Sequence, residues 1–365
     1  MSDARFMRAA LALARRGLGR TWPNPSVGCL IVKGGLIVGR GWTQPSGRPH
    51  AETEALARAG RNAKGADVYL TLEPCCHHGK TPPCTDALIA AGVRRAIVAV
   101  EDPDPRVSGK GIAALRTLGI AVDVGLCADE AREVNAGFLS SVARGRPLVT
   151  VKLATSLDGR LAVASGESRW ITGERARARG HLLRAASDAI MVGSGTVLAD
   201  DPQLTCRLPG LSDRSPVRIV IDGSMRVPLT ARLVADARQT PTWFVVRHGI
   251  SSERSAALAS FGVGVIDVPA AATGETDLSA ALAALGSRGI TRVLVEGGAR
   301  LAAALVRGGL VDRIAWFRAP SLIGDDGRAA LDTLGVATPS EAPHFVRVGV
   351  EAIGDDVLET LQRAV

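Results

Sequence analysis

His50, Glu52, Cys75 and Cys84 are the residues of this chain whose types and spacing best support catalysis. One imidazole and two thiolates suffice to hold a zinc ion, and three protein ligands leave a fourth tetrahedral position for water. Zinc in such a site lowers the pKa of its bound water, so hydroxide exists at neutral pH. Glu52 lies two residues from His50 and need not be a ligand. It is placed to carry a proton from that water to a ring nitrogen and on to a departing amine. The set suits hydrolytic removal of an amine from an amidine-like ring carbon, with His50, Cys75 and Cys84 holding one zinc ion and Glu52 as the catalyst.

Spacing alone leaves a second arrangement open, in which Cys75 and Cys84 close a structural knuckle with His77 or His78. Against it stands His50-Ala51-Glu52 after Pro49, at an expected helix start, followed by Pro74-Cys75 after an expected strand. Zinc base deaminases commonly place their two cysteines two residues apart. Here residues 76–83 separate them, bringing Lys80, the Thr81 hydroxyl and two imidazoles next to the metal. Such groups suit a phosphate on the substrate. Cys76 is left as a spare thiol.

These residues need a scaffold, and the pattern supplies one. Residues 27–33 and 36–42 read as a hairpin about Gly34-Gly35, and 51–59 as a helix stopped by Gly60. Strands are expected at 67–72, 95–100 and 120–124, with helices at 85–91, 111–118 and 129–142 and an amphipathic one within 1–20. A helix start is also expected at Cys75, where amide dipoles would favour its thiolate. The polar segment Ala143-Arg144-Gly145-Arg146-Pro147 breaks the pattern and marks a domain boundary, giving domains 1–145 and 146–365. The second again alternates strands (148–154, 189–192, 217–221, 242–246, 263–268, 292–295, 313–317) with helices at 174–186, 278–285 and 299–306. That rhythm is α/β with a mainly parallel sheet. Residues 269–276 read as a mobile loop.

With 365 residues, two cores are the natural expectation. The net charge of +8 raises the question of nucleic acid, but no basic block stands out. One Tyr, six Phe and five Trp are too few for base-stacking platforms, and small phosphorylated substrates account for the charge equally well. Six cysteines make no disulfide framework, and no leader or membrane-length apolar run appears, so a cytoplasmic protein with no membrane partner is expected.

Taken together, Trp22-Pro23-Asn24-Pro25, His50-Ala51-Glu52 and the run Thr71-Leu72-Glu73-Pro74-Cys75-Cys76-His77-His78-Gly79-Lys80-Thr81-Pro82-Pro83-Cys84 resemble the bifunctional riboflavin-biosynthesis deaminase/reductase family. The resemblance implies a cytidine-deaminase-like three-layer α/β/α domain followed by a dihydrofolate-reductase-like α/β domain. It implies deamination of 2,5-diamino-6-ribosylamino-4(3H)-pyrimidinone 5′-phosphate, then NADPH reduction of the ribosyl group of the product to ribityl. Asn24, Asp102 and Asp104 would line the first substrate pocket with Lys80 and Thr81. Cys76 departs from the family pattern, which has a small hydroxyl residue there. Relatives suggest a homo-oligomer.

The resemblance continues through Lys152-Leu153-Ala154-Thr155-Ser156-Leu157-Asp158-Gly159-Arg160, Gly166-Glu167-Ser168-Arg169-Trp170-Ile171-Thr172, Gly195-Thr196-Val197-Leu198-Ala199-Asp200-Asp201-Pro202 and Val295-Glu296-Gly297-Gly298. Read alone, the last is a buried strand, a glycine turn and a helix start, which cradles a diphosphate on backbone amides. It is not the G-x-G-x-x-G fingerprint, so a standard dinucleotide fold is not expected. By resemblance, Ala154, Trp170, Thr196, Asp200, Ser224 and the run Gly298, Ala299, Arg300, Leu301, Ala302, Ala303, Ala304 contact NADPH. Ser168, Arg184, Leu204, Arg207 and Glu296 likewise bind the ribose phosphate substrate, and Lys152 is placed to reach it. Arg184 and Arg207 offer paired donors for a phosphate, and Glu296 accepts from sugar hydroxyls.

Overall fold

Every apolar run expected to be a strand becomes one in the computed structural model, which describes residues 2–364. Residues up to Gly145 and from Arg146 onward form two compact units.

The first unit holds β1 (Gly28–Lys33), β2 (Leu36–Trp42), β3 (Asp67–Leu70), β4 (Arg95–Val98) and β5 (Ala121–Val124), in the sheet order β2-β1-β3-β4-β5. Its helices are α1 (Asp3–Ala14), α2 (Ala51–Ala59), α3 (Cys84–Ala90), α4 (Lys110–Thr117) and α5 (Ala128–Arg144). β1 runs antiparallel to β2 and β3, and β3, β4 and β5 are parallel. Gly34 and Gly35 both take the positive φ that a tight hairpin needs. Gly41 decides where α2 begins. A Cβ there would stand 2.0 Å from the Ala51 carbonyl oxygen, so only glycine lets the first turn of α2 lie on the sheet. Phe6, Met7, Leu11, Ile31, Tyr69, Leu70, Leu88 and Ile97 fill the core. Cys29, within the apolar run of β1, is fully buried among them.

The second unit is a nine-stranded sheet. Its strands are β6 (Leu148–Thr155), β8 (Ala189–Gly193), β9 (Val217–Ile221), β10 (Thr242–Arg247), β11 (Gly264–Val268), β12 (Arg292–Glu296), β13 (Arg313–Arg318), β15 (Phe345–Ile353) and β16 (Asp356–Arg363). β7 (Arg160–Ala162) pairs separately with β14 (Arg328–Ala329). The order is β11-β10-β9-β8-β12-β6-β13-β16-β15, parallel from β11 to β13 and antiparallel beyond. Helices α6 (Glu174–Ala185), α7 (Ser194–Asp200), α8 (Arg232–Ala235), α9 (Ser252–Ser260), α10 (Leu278–Ser287) and α11 (Ala299–Arg307) connect them. Sequence patterning did not foresee β7, β14, β15, β16, α7, α8 or α9.

The expected boundary segment behaves unevenly. Gly145 ends α5 in the left-handed conformation, whereas the Arg146 guanidinium grips Asp312 through both nitrogens at 2.8 and 2.9 Å. The same Asp312 carboxylate accepts the Val149 N–H at 2.8 Å. Among the described residues no helix is long and apolar enough to cross a membrane.

Candidate active sites

Pro49 and the Gly41 contact start α2 at Ala51, making His50 the N-cap and placing Glu52 in the first turn. His50 Nδ1 lies 3.3 Å from Cys84 Sγ and 3.7 Å from Cys75 Sγ, and the three ligand atoms fall within 4.8 Å of one another. A nitrogen and two sulfurs converging from separate elements fit a tetrahedral zinc with one position left open. His77 and His78 do not join this cluster, so the closed knuckle is not what the chain builds.

One expectation is corrected here. Cys75 does not begin a helix; Cys84 does, as the first residue of α3. The Cys84 backbone N–H points at Cys75 Sγ at 3.4 Å, so Cys75 receives the amide from a helix start contributed nine residues later. With the Cys84 thiol as hydrogen-bond donor and His50 alongside, the Cys75 thiol is held down at about 4. The Cys84 thiol, giving its proton to Cys75 in a buried setting, is pushed up. Hydrogen bonding to Cys75 also raises the His50 imidazole. Glu52 is 4 % exposed, and burial pushes its carboxyl up, which makes it a better proton acceptor than an exposed carboxylate.

The neighbouring residues are held by specific contacts. Asn24 sits in a turn closed by Thr21, its side chain against Gly47. Thr81 accepts from Arg48 at 2.5 Å, and Lys80 is exposed beside it. Asp102 is buried, and burial raises its carboxyl to about 6; Oδ1 accepts the Asp104 N–H at 2.9 Å. The Asp104 carboxylate is committed to Arg106, which lowers it below the usual range. Arg48 and Glu73 escaped the sequence reading: each stands in a motif whose neighbours drew all the attention, and no spacing rule marks them.

In the second unit the catalytic face lies at the carboxyl ends of the parallel strands, where α/β sheets open to ligands. Lys152 and Glu296 are register partners on β6 and β12. Lys152 Nζ is 3.6 Å from Glu296 Oε2, and Arg184 reaches the same carboxylate through Nε and Nη2 at 2.7 and 2.9 Å. Burial opposes ionisation of Glu296, yet Lys152 and Arg184 hold it at about 2. The remaining Arg184 contact goes to the Thr205 carbonyl at 2.9 Å, which leaves two of its five N–H groups uncommitted. His181, one turn before Arg184 on α6, was also missed; its Nδ1 accepts the Arg207 N–H at 3.3 Å. Burial and the charges of Arg184 and Arg207 lower its imidazole to about 4.

Two adjoining cavities flank this cluster, of about 710 and 250 Å³. Thr196, Asp200, Gly298 and Ser168 line both; Ser224, Ala299, Arg300, Leu301 and Ala304 line only the larger. Lys152, Ala154, Trp170 and Ala302 line only the smaller. Gly297 and Gly298, both at positive φ, turn the chain from β12 into α11, as its sequence suggested. Two expected contacts fall elsewhere. Ala303 is fully buried and lines neither cavity. The Leu204 side chain packs in the core with Val197 and Val220, leaving only its backbone, at φ 56°, to meet a ligand. Arg207 lines a third hollow beside Thr205.

Comparison with known proteins bears on both units. Residues 147–358 match the RibD C-terminal domain, and residues 1–100 match the cytidine and deoxycytidylate deaminase zinc-binding region. The chain is 45% identical to the riboflavin biosynthesis protein RibD of Escherichia coli K12, with 98% of each covered. It is 41% identical to the protein of that name from Aquifex aeolicus, over 99% of this chain and 98% of the relative. Among solved structures, Acinetobacter baumannii RibD superposes with a TM-score of 0.89 at 38% identity, covering 100% of this chain and 99% of that one. A diaminohydroxyphosphoribosylaminopyrimidine deaminase/5-amino-6-(5-phosphoribosylamino)uracil reductase from Thermotoga maritima gives 0.86 at 33% identity, with 99% and 98% covered. A zinc-ligand triad beside a buried glutamate, a second unit with its own ligand cavities, and this full-length likeness agree: the chain belongs to the RibD family of bifunctional riboflavin-biosynthesis enzymes, in which a zinc-binding deaminase domain is joined to an NADPH-dependent reductase domain.

Proposed function

We propose that residues 1–145 carry out the deamination and residues 146–365 the reduction, on phosphorylated pyrimidine substrates, with the residue roles that follow. The observation that carries the first half is the buried Glu52 carboxyl beside the His50, Cys75 and Cys84 donors. A zinc ion held by these three supplies an acidified water. Glu52 would carry one proton of that water to the ring nitrogen next to the amine-bearing carbon, and the second, from the hydroxyl added to that carbon, to the departing amine as the carbonyl forms. Asp102, Asn24 and Asp104 orient the pyrimidine, and Lys80 and Thr81, with Arg48 behind Thr81, face the phosphate.

For the second half, the Lys152–Glu296–Arg184 cluster beside two joined cavities supports the reading. NADPH held there would supply the hydride for reduction of the ribosyl group. Thr196, Asp200, Ser224 and the start of α11 bind the dinucleotide; Trp170 and Ala154 border its reacting end. Lys152, fixed by Glu296, lies on the substrate side, and Ser168, Arg207 and the Leu204 backbone complete that pocket. Glu296 organises the two cations here and keeps acceptor capacity for a sugar hydroxyl of the substrate. A cytoplasmic homo-oligomer is part of the proposal; six free thiols fit a reducing compartment.

Mass spectrometry of the diaminopyrimidinone ribosyl phosphate, incubated with zinc-loaded protein with and without NADPH, tests the assignment. Exchange of an amine for oxygen without NADPH, then gain of two hydrogens with it, is expected. An unchanged substrate under both conditions would refute the reading.

A further inference from the structure

The smaller cavity of the second unit has one wall that the core does not hold. Trp170 lines that cavity with Lys152, Ala154 and Ser168, yet it is 68 % exposed. An indole on a loop with so little packing has several rotamers open to it. One contact chooses among them: the Arg177 guanidinium carbon lies 4.5 Å from the ring centroid, over its face and within cation–π reach.

The local fold puts Arg177 there. Asp356, buried at the start of β16, accepts the Gly173 N–H at 2.7 Å and fixes the point where α6 begins. Arg177 closes the first turn, its own N–H on the Gly173 carbonyl at 3.1 Å. Helical side chains lean toward the N-terminus, so from this position an arginine reaches back over the loop that leads into α6. Its Nη1 donates to the Thr172 carbonyl at 2.7 Å. One guanidinium thus grips two neighbouring points of the loop, the Thr172 carbonyl and the Trp170 ring. Further along the same helix, Arg179 holds Glu351 at 3.2 Å and Arg184 holds Glu296. Arg177 has no carboxylate partner among the described residues. Half-buried, it lines the same cavity as Trp170.

We propose that Arg177 is a positioning residue of the reductase. By holding the Trp170 indole as a fixed wall of the smaller cavity, it sets the geometry in which hydride donor and ribosyl group meet. This rests on the assignment of that cavity to the reacting end of the dinucleotide. Misplacing reactants by about 1 Å can cost about 100-fold in rate. A wall free to swing therefore shows in the chemical step before it shows in affinity.

A double-mutant cycle on the full chain tests this. Single-turnover loss of NADPH absorbance, with 5-amino-6-(5-phosphoribosylamino)uracil in excess, reads hydride transfer for wild type, R177A, W170A and R177A/W170A. Steady-state assays give KM for both ligands. R177A is expected to slow hydride transfer about 10-fold, with both KM values within about threefold of wild type. In the W170A background the same change should cost less than about twofold, because no indole is left to position. R177K, which keeps a cation for the ring, should recover part of the rate. A loss of about 10-fold in the W170A background would overturn the proposal, since Arg177 would then act without the indole. An R177A rate equal to wild type would overturn it too. So would a rise confined to KM of the phosphorylated pyrimidine, which would make Arg177 a phosphate ligand. If R177A does not fold, R177M keeps the apolar stem and removes the charge, and the same cycle applies. Wild-type protein that consumes no NADPH would instead sink the cavity assignment beneath the proposal.

Discussion

The buried Glu73 carboxylate accepts the Asp102 backbone N–H at 3.1 Å, and through it the loop of Asp102 is tied to the segment that carries the metal ligand Cys75. Oε2 also takes the Gly109 N–H at 2.9 Å, and Oε1 the Ile112 N–H at 3.0 Å. One side chain next to Pro74 therefore holds both ends of the loop bearing Asp102 and Asp104. E73A leaves two buried donors and one half-buried donor unsatisfied and should cost about 3 kcal/mol of first-unit stability. E73Q, which folds more readily, should raise KM for deamination more than it lowers kcat. Steady-state assays with a melting curve check both.

Removing the Glu52 proton carrier while keeping its shape isolates its role. E52Q should bind zinc as the wild type does, measured by elemental analysis, and lose about 10²- to 10⁴-fold in deamination. Reduction of separately supplied 5-amino-6-(5-phosphoribosylamino)uracil should continue unchanged. Chelation of the metal should reproduce that split, and loss of both activities would contradict it.

Glu296 ionises at about 2 because Lys152 and Arg184 outweigh the cost of burying it. Its folded pKa lies below the unfolded one, so its contribution is full above about pH 4.3 and disappears as pH falls toward 2. E296Q should therefore melt earlier than wild type at pH 7, with the gap closing below pH 3. K152A should keep NADPH affinity within about threefold and lower reduction at least tenfold.

His181 shows the opposite charge type with the same sign. Its folded pKa of about 4 lies below that of an unfolded histidine, so the stabilising contribution stands above pH 6.5 and is lost between 6.5 and 4. Protonation also removes the acceptor for the Arg207 N–H. KM of the reduction should rise only as pH approaches 4, where the folded imidazole protonates, and H181Q should flatten that dependence.

Residues that act within one short element were readable from sequence. Pro49 and Gly60 bracket α2, so the placement of His50 and Glu52 followed from punctuation alone. Cys75 was misplaced because its helix start comes from Cys84, a relation only the folded loop creates. The Lys152–Glu296 pair depends on parallel pairing of β6 with β12, far apart in sequence, and periodicity carries no such register. α7 is short and opens with Ser194-Gly195-Thr196, which reads as a turn. β15 alternates valines with polar residues and glycine, a strand signal the reading passed over, and it leaves Val346, Val348 and Val350 exposed.

Arg146 stands in a segment that looks like a connector, yet its guanidinium neutralises Asp312, which also caps the first strand of the second unit. Dissecting the enzyme into halves therefore has a one-residue tolerance. A reductase fragment that starts at Pro147 would lose the ion pair between Arg146 and this mostly buried carboxylate at the root of the sheet. One that starts at Arg146 keeps its own counterion and is the half to express.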